Sequence, residues 1–149
     1  HHVRPPLRDP RDRAALRRGV KQGSLDIIGA YHEPHDADAK AAPFGLTEPG
    51  VSSYDTFLPA LLQLIDEGAF DLPTAIAAAS QAPHRLLGQP GGTLEIGAPA
   101  DLCAFDPAAR WEVTPANLKS AGKNTPYLGQ TLTGRVRFTI VSGRLVHQR

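Results

Sequence analysis

Leu25-Asp26-Ile27-Ile28-Gly29-Ala30 runs directly into Tyr31-His32-Glu33-Pro34-His35-Asp36. The first run is apolar, too short for a helix and rich in β-branched residues, which predicts a buried strand. Ahead of it, Asp9-Pro10 supplies an N-cap followed by proline at the first helical position, and Gly23 supplies a stop, so Arg11 to Lys21 reads as a helix. Helix, strand and then a loop at the strand's C-terminal end form the unit of a parallel α/β fold, whose active sites sit on such loops. One or two such units cannot close a sheet. A whole (β/α)8 barrel needs about 250 residues, so a barrel reading requires that most of the barrel lie outside this sequence.

Further along, Ser52 or Ser53 is placed to cap a helix whose Phe57, Leu58, Leu61, Leu62 and Ile65 share one face before Gly68, with Pro59 a source of a kink. Asp71 begins another helix through Ile76 and Ala79, and Pro83 a third that closes at Gly88. Beyond that point the pattern changes to short strands and turns, placing a boundary near Gln89 to Gly92. Residues 1–88 form one segment and 89–149 a second, β-rich one. Thr93 to Ile96, Leu102 to Phe105, Trp111 to Val113 and Arg135 to Val141 read as strands, and Ser142-Gly143 as a two-residue hairpin turn into Arg144 to His147. Thr114-Pro115 begins a brief helical turn through Leu118.

Composition narrows the function classes. The 149 residues carry 16 Lys+Arg against 15 Asp+Glu, a net charge of +1, and are 41% hydrophobic. No apolar run reaches the roughly 18 residues of a membrane span, so no membrane partner is expected. Six arginines lie in the first 18 residues without an aromatic to stack on a base, so an exposed helix face accounts for them and no nucleic-acid partner is expected. One cysteine, Cys103, cannot form an internal disulfide, which favours a reducing, cytoplasmic location; within an apolar strand it reads as a small buried hydrophobe. Methionine is absent even from position 1, so the sequence is expected to be part of a longer translation product.

Chemistry concentrates at Tyr31, His32 and His35 with Glu33, Asp36 and Asp38. Imidazole and carboxylate are ordinary zinc ligands, but two histidines three apart with Pro34 between them do not share a helix face, and a solvated polar loop is the plainer account. The long stretch from Tyr31 to Gly50 is nonetheless the kind of loop that carries function. His84 beside Pro83 reads as structural. Asn124-Thr125-Pro126-Tyr127-Leu128-Gly129 holds no group suited to acid–base work at neutral pH and reads as a turn that positions the last strands.

An ordered set of strings adds what periodicity cannot: Val3-Arg4-Pro5-Pro6-Leu7-Arg8, Asp26-Ile27-Ile28 leading to His32-x-Pro34-His35, Ala42-Pro43-Phe44-Gly45, Gly92-Thr93-Leu94, Gly97-Ala98-Pro99-Ala100-Asp101-Leu102 and Asn124-Thr125-Pro126-Tyr127-Leu128-Gly129. Together they resemble the C-terminal part of bacterial dihydroorotase, a zinc-dependent cyclic amidohydrolase. The resemblance implies an α/β fold: the C-terminal portion of an amidohydrolase (β/α)8 barrel over 1–88, then strands of the small flanking β-sandwich over 89–149. It places the family's metal ligands upstream, so no metal or cofactor is expected on this chain, whereas active relatives carry zinc. His1-His2 abut the Pro-Pro-Leu-Arg string and do not stand for those ligands.

Two positions depart from the family. An aspartate that ligates metal and shuttles the proton usually precedes the first histidine of this string, and here Tyr31 stands in its place. A carboxyl titrates near 4 and a phenol near 10, so the resemblance leaves the chain with no catalytic residue of its own. Arg4 stands where active relatives commonly have an asparagine that bonds the substrate ring, and arginine only donates. Arg4, His35, Phe44 and Gly45 occupy the family's substrate-contacting positions. Asp55-Thr56 stands for a usual Glu-Thr. The run His32 to Lys40 with Thr47-Glu48-Pro49-Gly50, and Tyr31 itself, look more like the non-catalytic dihydroorotase-like branch, whose members assemble with aspartate transcarbamoylase in an oligomeric complex. The alternative is an active zinc-dependent dihydroorotase whose ligands lie mostly upstream. Either way, a partial barrel exposes strand edges and apolar faces, so the segment is expected to fold poorly by itself.

Overall fold

The computed structural model describes residues 1–149. Helix α1 spans Pro10–Gln22, α2 Tyr54–Asp66, α3 Leu72–Ile76 and α4 Ala82–Leu87; strands β1 (Leu102–Glu112), β2 (Thr131–Val141) and β3 (Arg144–Gln148) follow. No helix is long and apolar enough to cross a membrane.

Helix α1 forms for the local reasons its sequence states. The Asp9 side chain accepts from the amides of Arg11 and Asp12 at 2.7 and 3.0 Å, satisfying two of the free donors of the first turn, and Gly23 closes the helix with φ 72°. Arg17 reaches Glu67 at 2.6 Å, joining α1 to the end of α2. Hydrogen bonds from Gln63 and then Arg17 hold the Glu67 carboxyl below its ordinary value.

The expected strand at Leu25–Ala30 is not part of any sheet. Its backbone contacts are single ones, such as the Ile28 amide donating to Ala78 O at 3.1 Å. A strand is defined by a ladder, and no other segment of these 149 residues lies alongside to form one. Thr93–Ile96 likewise forms no strand, and Leu94 and Ile96 are exposed.

Pro83 does not open a separate helix. The chain stays helical from Leu72 to Leu87, with a π turn at Ala77–Gln81 joining α3 to α4. Proline offers no N–H to the carbonyl four residues back and its ring crowds it; the widened turn relieves that conflict without ending the helix. Asp71 caps the start, accepting from the Thr74 amide at 3.0 Å.

The sheet is an antiparallel meander ordered β1-β2-β3. The two strands expected at 102–105 and 111–113 are one, β1, interrupted by an irregularity between Asp106 and Arg110. There the Asp106 carboxylate accepts from the amides of Ala108 and Ala109, and Pro107 has no N–H for the ladder. Ser142 (φ 50°) and Gly143 (φ 75°) make the expected tight turn into β3. Trp111, Val113 and Leu118 form a small core with Tyr127 and Leu132 against it, and Trp111 Nε1 donates to Gly134 O at 2.9 Å. Helix α2 packs on β2, with Leu62 against Gly134, and Leu61, Phe70, Ala75, Ala78 and Ala82 are buried as well. Cys103 is exposed on the sheet, not buried as expected, although desolvation still pushes its thiol above the ordinary value.

Candidate functional site

Tyr31 sits at φ 49°, a left-handed conformation that aspartate and asparagine tolerate better than an aromatic residue does, and its side chain is 66% exposed. The backbone there suits a short polar side chain.

The two histidines of the loop are held by structural bonds. His32 Nδ1 accepts from the amides of Ser53 and Tyr54 at 3.0 and 3.2 Å, so the imidazole caps α2. Ser53, one of the two expected caps, is diverted: its hydroxyl donates to Ala30 O at 2.7 Å. Because Nδ1 accepts, the proton of the neutral ring lies on Nε2, which faces Ser120 Oγ at 3.4 Å. The ring stacks on Tyr54 with centroids 3.9 Å apart. His35 Nε2 donates to Pro49 O at 2.9 Å, since a carbonyl can only accept.

Asn124 clamps the loop. Its Oδ1 accepts from the His35 amide at 2.8 Å, while its Nδ2 donates to Glu33 O at 3.1 Å and Gly50 O at 3.3 Å. Asp55 anchors the same region from α2, accepting from the amides of Lys119 and Ser120 at 2.8 and 3.0 Å. Sequence reading assigned residues 124–129 only to positioning the last strands. The signal it passed over was the amide itself, which both donates and accepts and so can bridge two loops. Replacing Asn124 with alanine in the full-length protein strands three partly buried backbone groups and is expected to cost about 3 kcal/mol, read as a lowered thermal midpoint together with faster amide exchange at His35.

The residues picked from sequence do not converge. Phe44 is 67% exposed, lies 4.7 Å from the His2 ring at a tilt of 35°, and lines a cavity with Lys40, Lys123 and Asn124. His35 lines a different hollow, with Asp36, Asp38 and Glu48, and Arg4 and Gly45 are exposed. His2 anchors the loop: its carbonyl accepts from the Gly50 amide at 2.9 Å and from Lys40 Nζ at 3.2 Å. No three His, Cys, Asp or Glu side chains are grouped to hold a metal. His32 caps a helix through Nδ1 and His35 Nε2 is bound to a carbonyl, so neither histidine stands free in the loop.

Comparisons with known proteins bear on the same residues. The profile of the amidohydrolase family matches residues 23–147. A dihydroorotase-like protein of Pseudomonas putida is 46% identical over 147 residues, covering 99% of this chain and 34% of that protein. A dihydroorotase of Geotalea daltonii is 40% identical, covering 99% of this chain and 35% of its own length. Among solved structures, an L-hydantoinase (dihydropyrimidinase) from Arthrobacter aurescens superposes with a TM-score of 0.87 at 26% identity, over 98% of this chain and 34% of that one. The chain thus spans about a third of the length of these relatives.

Proposed function

The chain belongs to the amidohydrolase family, and from that premise we propose that it is part of a dihydroorotase-like protein of pyrimidine biosynthesis that performs no ring chemistry and serves as a structural partner of aspartate transcarbamoylase in a cytoplasmic oligomeric assembly. Its α/β fold corresponds to a portion of the amidohydrolase (β/α)8 barrel followed by strands of the flanking β-sandwich, with residues 1–88 and 89–149 as the two segments in this reading.

The observation that carries it is Tyr31. Closing or opening a cyclic amide needs a group that takes up and returns a proton at neutral pH, and a carboxylate does this where a phenol does not. This chain has a phenol, Tyr31, at the position where the family has that carboxylate. The retained family residues are accounted for without catalysis, because His32 caps α2, His35 ties down Pro49 and Asn124 joins the loop backbone at Glu33 and His35 to that at Gly50. Architecture alone is reason enough to keep them.

One observation favours a second reading. Relatives such as that of Geotalea daltonii, 40% identical, are named dihydroorotase, which suits an active zinc-dependent enzyme whose ligands come mostly from other residues. The full-length protein supplied with zinc decides between them in a carbamoyl aspartate cyclisation assay. We expect no turnover; a rate of about 1 to 10³ per second would defeat the scaffold reading. Tyr31→Asp sharpens the contrast, raising activity from nothing if only the acid is missing and lowering it if Tyr31 serves a working site. Co-elution with aspartate transcarbamoylase on size exclusion is the matching test of partnership, and separate elution would remove that part of the reading.

A further inference from the structure

The face of β2 and β3 turned toward α2 carries an excess of positive charge. Arg135, Thr139, His147 and Arg149 line a cleft of about 400 Å³ whose far side is formed by Tyr54 and Asp55 of α2 and by Lys119. Trp111 forms its floor, with the Arg135 guanidinium 5.3 Å above the ring.

Of the acids nearby, Asp55 brings one negative charge to the cleft wall and Asp106 is paired elsewhere. Both Asp55 oxygens accept backbone amides, and Asp106, directly opposite Arg135 in register, pairs instead with Arg137 at 2.9 Å. Arg149 meets only neutral acceptors, Asn117 O at 3.2 Å and Asn117 Oδ1 at 3.3 Å. Arg135 Nε is buried and donates to nothing. A buried donor without an acceptor is costly, and so is a guanidinium held near two others. Desolvation, then the charges of Arg149 and Arg137, press the Arg135 pKa down.

We propose that this cleft binds a small multivalent oxyanion, a phosphate-bearing metabolite, through Arg135, Arg149 and Lys119. A phosphate neutralises cations that now repel one another, whereas a single carboxylate would leave net positive charge in the cleft. The volume is within the range of small-molecule sites and exceeds one phosphate group, leaving room for the body of a metabolite. The site is built from α2, the 119–120 turn and the sheet. It stands whether or not the protein closes a ring.

Calorimetric titration of the full-length protein with inorganic phosphate and with pyrophosphate, at fixed ionic strength, tests it. Saturable binding is expected, with pyrophosphate the tighter ligand, and Arg135→Gln and Arg149→Gln should each weaken it about tenfold or more. Arg144→Gln removes an equal charge from an exposed position outside the cleft and should leave affinity unchanged. Should Arg135→Gln fail to fold, the exposed Arg149 carries the comparison. Absence of saturable heat up to about 10 mM ligand, or equal weakening by Arg144→Gln, overturns the proposal.

Discussion

Heated by itself, the 149-residue chain is expected to show no cooperative unfolding transition. Its accessible surface is 9969 Å², whereas a compact monomer of 15.9 kDa exposes about 7,400 Å². Only 16 of its residues are buried, and Leu86, Leu87, Leu94, Ile96 and Leu145 are all more than half exposed. If half of the excess surface is apolar, covering it is worth about 30 kcal/mol at 25 cal/mol per Å², several times the 5–15 kcal/mol by which domains are ordinarily stable. Calorimetry and near-ultraviolet dichroism check this, the expected result being a broad, low-enthalpy transition with weak tertiary signal and a tendency to associate through the exposed faces. A sharp monomeric melt would mean that the small cores around Trp111 and Leu61 suffice.

What was legible in the sequence follows from how local each signal is. Asp9-Pro10 and Gly23 bracket α1 because a cap, a ring-fixed φ and a left-handed stop act within a few residues. Ser142-Gly143 turns β2 into β3 for the same reason. The failures are non-local. Leu25–Ala30 has the composition of a buried strand, yet a ladder needs a neighbour, and composition cannot supply one. Pro83 reads as a helix start, but a π turn lets the helix pass through it. The separate strands expected around Asp106-Pro107 fuse because an aspartate side chain bridges the interruption.

The candidate site was legible as a place and not as a mechanism. The loop holding Tyr31, His32 and His35 is a densely bonded junction, where the sequence makes a solvated polar loop the plainer account. Yet the capping role of His32 Nδ1 goes with Ser53 having turned its hydroxyl to Ala30, 23 residues away. Asn124 lies 89 residues from His35, so its clamp is invisible to any reading of spacing. At Tyr31 a sequence departure and a structural peculiarity coincide, a phenol on a left-handed backbone.

Gly134→Ala, made in the full-length protein, is expected to destabilise it by about 3 kcal/mol through two separate costs, backbone strain and overpacking. Gly134 holds φ 101°, a conformation closed to side chains with a Cβ, and it does so because three residues of β1, Pro107 to Ala109, stand between the pairs that flank it. An added methyl would also overlap Leu62 Cδ1 of α2, with Leu58 behind it. Leu62 is buried, so it cannot swing out to solvent, and α2 would have to lift from β2. The same shift would draw Gly134 O away from Trp111 Nε1 and leave a buried indole donor unpaired. Indole fluorescence therefore distinguishes this route from a general loss of stability: the emission should move to the red in the folded variant before unfolding begins. An unshifted spectrum with an unchanged denaturation midpoint would show that α2 does not rest on β2 at this glycine.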